Sequence, residues 1–296
     1  MKTVIRNILE IVIYELQAAV ATRRALMVIG LYLASGIIGS VAFEYSVNVA
    51  QDKLIQIAVE SGADADEAAL QISLRENEAL NSFIAFAVGE PLESLNPLLI
   101  ESPILPIFFG ASLLFLPLLI LLTSFDHIVT DLQSRSMCYQ TLRLSRREML
   151  IGKTLAQLTL YSIITFISAG CVLLSGLIML NSMDLGATIP GLLVAWAILL
   201  PVGFCYLSIT TFASSVAKQP FSALMITVFI LLALKLQGVV GGWFDLPFLE
   251  YLRPSHYETG LWLVSTPSVL TSIAAYVGFG AFFLFLADRI IAGRDL

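Results

Sequence analysis

Six stretches of this chain run for about 19 residues or more with no charge, or with one, and that feature leaves few folds open. A helix rises about 1.5 Å per residue, so about 20 apolar residues cross the ~30 Å hydrocarbon layer of a bilayer. The runs are Ala25 to Phe43, Pro103 to Phe125, Thr154 to Leu180, Gly191 to Ser214, Pro220 to Val240 and Pro267 to Ala287. Only Lys235 interrupts the fifth. Pro117 and Pro201 lie inside runs, where kinks are expected rather than breaks, because neighbouring helices re-satisfy the freed carbonyls. Composition agrees: 58% of the residues are hydrophobic and 13% charged, against about a quarter charged in soluble domains. The fold expected is an all-α membrane protein with six transmembrane helices.

Lysine and arginine set the orientation. Twelve of the sixteen fall on one side of the spans, from Lys2, Arg6, Arg23 and Arg24 through Arg135, Arg143, Arg146, Arg147 and Lys153 to Lys218, Arg289 and Arg294. That side is cytoplasmic, so both termini are expected inside. Carboxylates are distributed the other way. Ten lie between Val49 and Pro103, against Lys53 and Arg75. Asp64 and Glu67 have the spacing of a capping box, and Leu70, Leu74, Leu80, Ile84 and Phe86 recur at roughly helical intervals, so a helical outer insert is expected there. A solvated cap and a ligand- or partner-binding surface both fit it.

The resulting organisation is an amphipathic interfacial helix over 1–24, spans at 25–48, 103–125, 154–180, 191–214, 220–240 and 267–288, the acidic insert at 49–102, a cytoplasmic connector at 126–153, an outer interfacial or re-entrant segment at 241–266, and a tail at 289–296. Val4, Ile5, Ile8, Leu9, Val12 and Leu16 give the first helix an apolar side suited to the acyl boundary. Residues 1–24 are too broken by charge for a cleavable signal peptide. Trp243, Trp262, Tyr251, Phe244 and Phe248 read as an aromatic belt. Gly30, Ala34, Gly36 and Gly39 form small-residue pairs for close approach of helices, within one subunit or between two.

The same reading excludes several functions. A net charge of −6 without a clustered basic face argues against nucleic acid. Cys138, Cys171 and Cys205 have no metal-ligand spacing, and His127 and His256 fall on opposite sides of the membrane, so no metal site is expected. No H-E-x-x-H and no phosphate-binding G-x-x-x-x-G-K-S/T loop is present, so no catalytic or nucleotide-binding residue is assigned. Lys235 lies 15 residues beyond Pro220, about 22 Å along the span at 1.5 Å per residue. Snorkelling to the outer surface and contact with a transported substrate are both open to it, with Glu44 and Asp245 as candidate partners.

The connector is the most informative segment. It has no glycine or proline before Gly152, so it is expected to be largely helical and able to carry force from a docked soluble partner. Asp131, the pair Ser145–Arg146 and the pair Gly152–Lys153 come in an order and spacing that resemble the signature region of ABC-2-type permeases, the membrane subunits of a class of ATP-binding-cassette transporters. The ending Arg294–Asp295 and the segment Tyr251 to His256 are similar to further features of that family. Ser134-Arg135-Ser136 stands where the family usually has a glycine, and Leu144 where it often has a proline. The resemblance implies a coupling helix that docks a separate ATPase through Asp126, Asp131, Arg135 and Arg146. It also implies a second permease copy, identical or not, and a pathway along their interface near spans two and five, with Lys235 and Glu44 as candidate lining. ATP and magnesium would be held by the ATPase, none by this chain. Export across a bacterial plasma membrane is the implied activity. A secondary transporter or channel, and a permease-like subunit that transmits ATPase motion to a periplasmic partner, are the alternatives; the first would be expected to show internal repeats, and none is evident.

Overall fold

A computed structural model describes residues 2–21, 26–34, 36–39, 41, 104–133, 145–179, 185–243, 251–262 and 266–294. The acidic insert with Asp64 and Glu67, together with Glu44, Arg135, Cys138, Asp245, Phe244 and Phe248, lies outside these residues. The described elements are helical: α1 (Lys2–Ala21), α2 (Leu26–Gly39), α3 (Ile104–Ser124), α4 (Val129–Gln133), α5 (Arg146–Met179), α6 (Leu185–Val216), α7 (Pro220–Trp243), a 3₁₀ turn (Pro254–Tyr257), α8 (Glu258–Trp262) and α9 (Thr266–Gly293). Helices α3, α5, α6, α7 and α9 are long and apolar enough to cross a membrane. In the first expected span the described helix is shorter, Leu26–Gly39.

Helix α6 is apolar on all sides, as a helix enclosed by others must be, and it packs against each of the other four long helices. Its sides are made for close approach. Ser208, Thr210 and Ser215 are buried and turn their hydroxyls back to the carbonyls of Phe204, Leu207 and Phe212, which satisfies these three donors within the helix. Gly203 accepts the ring of Tyr161 from α5, whose hydroxyl donates to the Leu199 carbonyl at 2.9 Å. Gly280 of α9 lies directly against Phe204 and the Cys205 backbone. Helix α7 is the opposite case. Its apolar window is 11% buried against 61% for α6, and Phe221, Phe229 and Leu232 stand exposed. Side chains like these are stable only beside lipid or another apolar surface.

Helix α1 runs along α5 and is apolar on two sides rather than one. Val12 is buried and Ile11 meets Gly152, whereas Ile5, Leu9 and Ile13 are exposed. The expectation that Val12 belongs to the lipid face is corrected: a helix that docks on a neighbour through one stripe can still present another to the acyl boundary. Trp262 is corrected likewise. It is not an interfacial anchor but a buried side chain, edge-on to Phe109 of α3 at 4.6 Å between ring centroids. In α2, Gly36 is within reach of Ser168 on α5, while Gly30 and Gly39 face open space, so the small-residue stripe serves a contact inside the subunit at one position.

Candidate functional site

The C-terminal ends of α3, α6 and α9 and the N-terminal end of α5 are joined by polar groups that the sequence motifs supply. Ser145 and Glu148 form a reciprocal capping box at the start of α5: the Ser145 N–H donates to Glu148 Oε2 at 2.9 Å, and the Glu148 N–H donates to Ser145 Oγ at 3.2 Å. Arg146, the next residue, donates to the carbonyls of Ile291, Ala292 and Arg294 at 3.0, 3.0 and 2.8 Å. These are the acceptors that the end of α9 leaves without intrahelical partners. Arg294 does the same for α6, donating to the carbonyls of Val216 and Ala217 at 2.7 and 3.1 Å. Arg147 pairs with Asp288 at 3.2 Å.

Gly152 and Lys153 fasten α1 to this assembly. A Cβ on Gly152 would fall 2.9 to 3.1 Å from three atoms of Ile11, so the close approach of α1 to α5 depends on its absence. Lys153 is 5% exposed and pairs with both Glu15 of α1 and Asp131 of α4, the latter at 2.6 Å, with the His127 carbonyl 3.4 Å from the same amine. One ammonium thereby fills its donor positions with groups from three segments. A Gly152→Val substitution should lever α1 away from α5, seen as faster proteolysis within residues 2–21; adding Ile11→Ala should slow cleavage again, because the blocked volume is that of Ile11.

The turn after α3 is held from the other side. Ser214 Oγ of α6 accepts the N–H groups of Ile128 and Val129 at 3.2 and 3.1 Å, capping α4 across the fold. His127 contacts the Ser124 carbonyl through Nδ1 and Thr211 Oγ1 through Nε2, the latter at 3.3 Å. Gln133 donates to the Lys218 carbonyl at 2.9 Å. Asp126 is half-buried in the turn, and its carbonyl accepts the Thr130 N–H at 3.0 Å. Of the four residues expected at a docking surface, Asp126 and Asp131 thus sit together at this end, Arg146 is engaged with the end of α9, and Arg135 is outside the described residues. Glu15 and Ser214 were not singled out by sequence, and Arg294 only as part of the Arg294–Asp295 ending. Glu15 carried a weak signal, an acidic residue on a helix of the basic side.

A cavity of about 570 Å³ lies between α3 and α7 and is bordered by the 3₁₀ turn, α8 and Tyr206 of α6. Lys235 lines it, as do Glu258 and Trp262; Glu44, its proposed partner in lining, is outside the described residues. The outer segment is fixed by its seat on α9. Gly260 faces Ser272 and the Ser268 carbonyl with no room for a Cβ, and the Tyr257 hydroxyl donates to the Tyr251 carbonyl at 3.2 Å.

A family profile described as "ABC-2 family transporter protein" matches residues 9–287. The chain belongs to that family. It is therefore a multi-pass membrane component of a transporter, a permease rather than a catalytic subunit. A search of curated proteins returns no match. Membership gives these contacts a context: the family implies an ATPase partner, and the face formed by the turn at 125–128 and α4 belongs to the connector next to which α1, α5, α6 and α9 converge.

Proposed function

We propose that this ABC-2 permease is the membrane subunit of an exporter driven by ATP hydrolysis on a separate polypeptide, which docks on the connector around α4. The carrying observation is the ionic link of Lys153 to Glu15 and Asp131, with the Ser214 cap beside it. A displacement of α4 is delivered through these contacts to α1, α5 and α6 at once. Asp126, Asp131 and Arg135 offer the polar contacts to the ATPase, Arg146 acts through the end of α9, and a second permease copy completes the pathway beside α3 and α7. The cavity containing Lys235 favours a subunit that moves a substrate over one that only relays motion. Mild-detergent purification from the native membrane, followed by mass spectrometry, tests the reading. A stoichiometric ATPase with a phosphate-binding loop supports it. A chain that purifies alone, with its connector open to protease, overturns it in favour of a secondary transporter or channel.

A further inference from the structure

The chemistry of the outer cavity is segregated along its length. Helix α3 descends from Gly110 to Leu121 beside it, 11 residues or about 16 Å at 1.5 Å per residue, and contributes Leu114 and Leu118 to an apolar wall. Leu232 faces that wall from α7. The ionisable groups gather at the outer end, where Lys235 of α7 and Glu258 of α8 line the cavity together with the hydroxyl-bearing Ser255 and Thr259. Lys235 and Glu258 lie within range of each other's charge, yet no ion pair within 4 Å joins them. Arg253 adds a second positive charge near Glu258, so among the described residues this end holds two cations against one carboxylate. Burial pushes the Glu258 carboxyl above its ordinary value, opposed by Lys235 and Arg253, which disfavours the one negative charge present. The volume falls within the roughly 300–1,000 Å³ of small-molecule sites, and the cavity is large enough for an alkyl chain with a compact head group.

We propose that this cavity binds an anionic amphiphile, its acidic head group against Lys235 at the outer-leaflet level and its hydrocarbon tail against Leu114, Leu118 and Leu232. The proposal rests on the permease reading in treating the occupant as transported substrate, but the binding itself does not depend on an ATPase. A second copy of the chain is the competing occupant of the same apolar wall. Its surface would satisfy the leucines without adding a counter-charge at the end where Lys235 and Arg253 outnumber Glu258 among the described residues, whereas an amphiphile with a phosphate or carboxylate head satisfies both.

The test uses the full chain in a neutral maltoside detergent, in a Trp196→Phe, Trp243→Phe background that leaves Trp262 as the reporter. Brominated dodecyl phosphate, dodecyl trimethylammonium and dodecanol are titrated as probes, with quenching of Trp262 as the readout. Saturable quenching is expected with the phosphate, and Lys235→Ala should weaken it about tenfold or more while leaving dodecanol unchanged. Lys235→Arg should retain most of the phosphate affinity, and Leu118→Phe should weaken all three probes by filling the apolar wall. Equal or tighter binding of the ammonium probe, or phosphate binding indifferent to Lys235→Ala, overturns the anionic assignment. Complete cross-linking of a Leu118→Cys variant between two copies of the purified chain, with loss of saturable phosphate quenching in the cross-linked protein, overturns the cavity itself, since a second copy then fills it. Co-purification of an ATPase is read separately. Binding without an ATPase defeats the permease mechanism alone, and an ATPase without binding defeats the substrate class alone.

Discussion

Lys153→Met releases α1 from the transporter and lowers its stability by about 3–5 kcal/mol, the usual consequence of removing one partner from a buried charge cluster. Lys153 is 5% exposed and Glu15 and Asp131 are 17% and 22% exposed. Without the ammonium, Glu15 and Asp131 lose the cation they share, and the less costly response is for α1 to swing out and hydrate Glu15. Thermal unfolding in detergent reads the loss of stability, and protease cleavage within residues 2–21 reads the release of α1. The triple change Lys153→Met, Glu15→Gln, Asp131→Asn separates structure from coupling. With the charges gone together, most of the stability should return, because paired buried charges are often replaceable by neutral groups. ATPase stimulation by the permease should not return if the cluster transmits force between α4 and α1. Recovery of both would mean that the cluster is structural only, and that coupling runs through the Ser214 cap.

Gly280→Leu should have an effect of similar size by a different route. A Cβ there would sit 3.3 Å from the Cα of Cys205, which is backbone of the central helix and cannot rotate aside, and closer still to the ring of Phe204. Overpacking of this kind ordinarily costs about 1–3 kcal/mol, and the rigid backbone partner places this site at or beyond the upper end. Separation of α6 from α9 would also pull Arg294 away from the carbonyls that it caps on α6. The expected outcome is loss of monodisperse protein on size exclusion in detergent. Gly278→Leu is the control, since a Cβ at Gly278 meets nothing within 4 Å and that residue is exposed. It should be neutral or slightly stabilising, as glycine is the poorer helix former by about 1 kcal/mol. Equal behaviour of the two variants would rule out the α6–α9 contact as described.

The apolar runs were legible because a bilayer imposes one simple length rule, and a charge inside a run is costly enough to be visible in a single sequence. Charge asymmetry should set orientation for a similar reason: it acts through the membrane as a whole and needs no partner. The connector motifs were legible as a pattern only. Ser145, Arg146, Gly152 and Lys153 stood out by order and spacing, and the resemblance implied that Arg146 would face an ATPase; the structure gives its guanidinium three carbonyls of the α9 terminus. Sequence shows that a basic residue stands at the start of a long apolar helix, but not which helix end comes near it.

What the sequence by itself determined is therefore what depends on composition and order along one segment: the α-helical class, the positions of five long apolar helices, and the family. What only the tertiary structure decided depends on pairs far apart in the chain. Glu15 meets Lys153 across 138 residues, Arg146 meets Ile291 across 145, and Gly280 meets Cys205 from another helix. In a membrane the apolar surface of every helix is already satisfied by lipid, so hydrophobicity does not choose helix neighbours. Small residues, buried hydroxyls and a few neutralised charges choose them, and these act only once the backbones are within a few ångströms of one another.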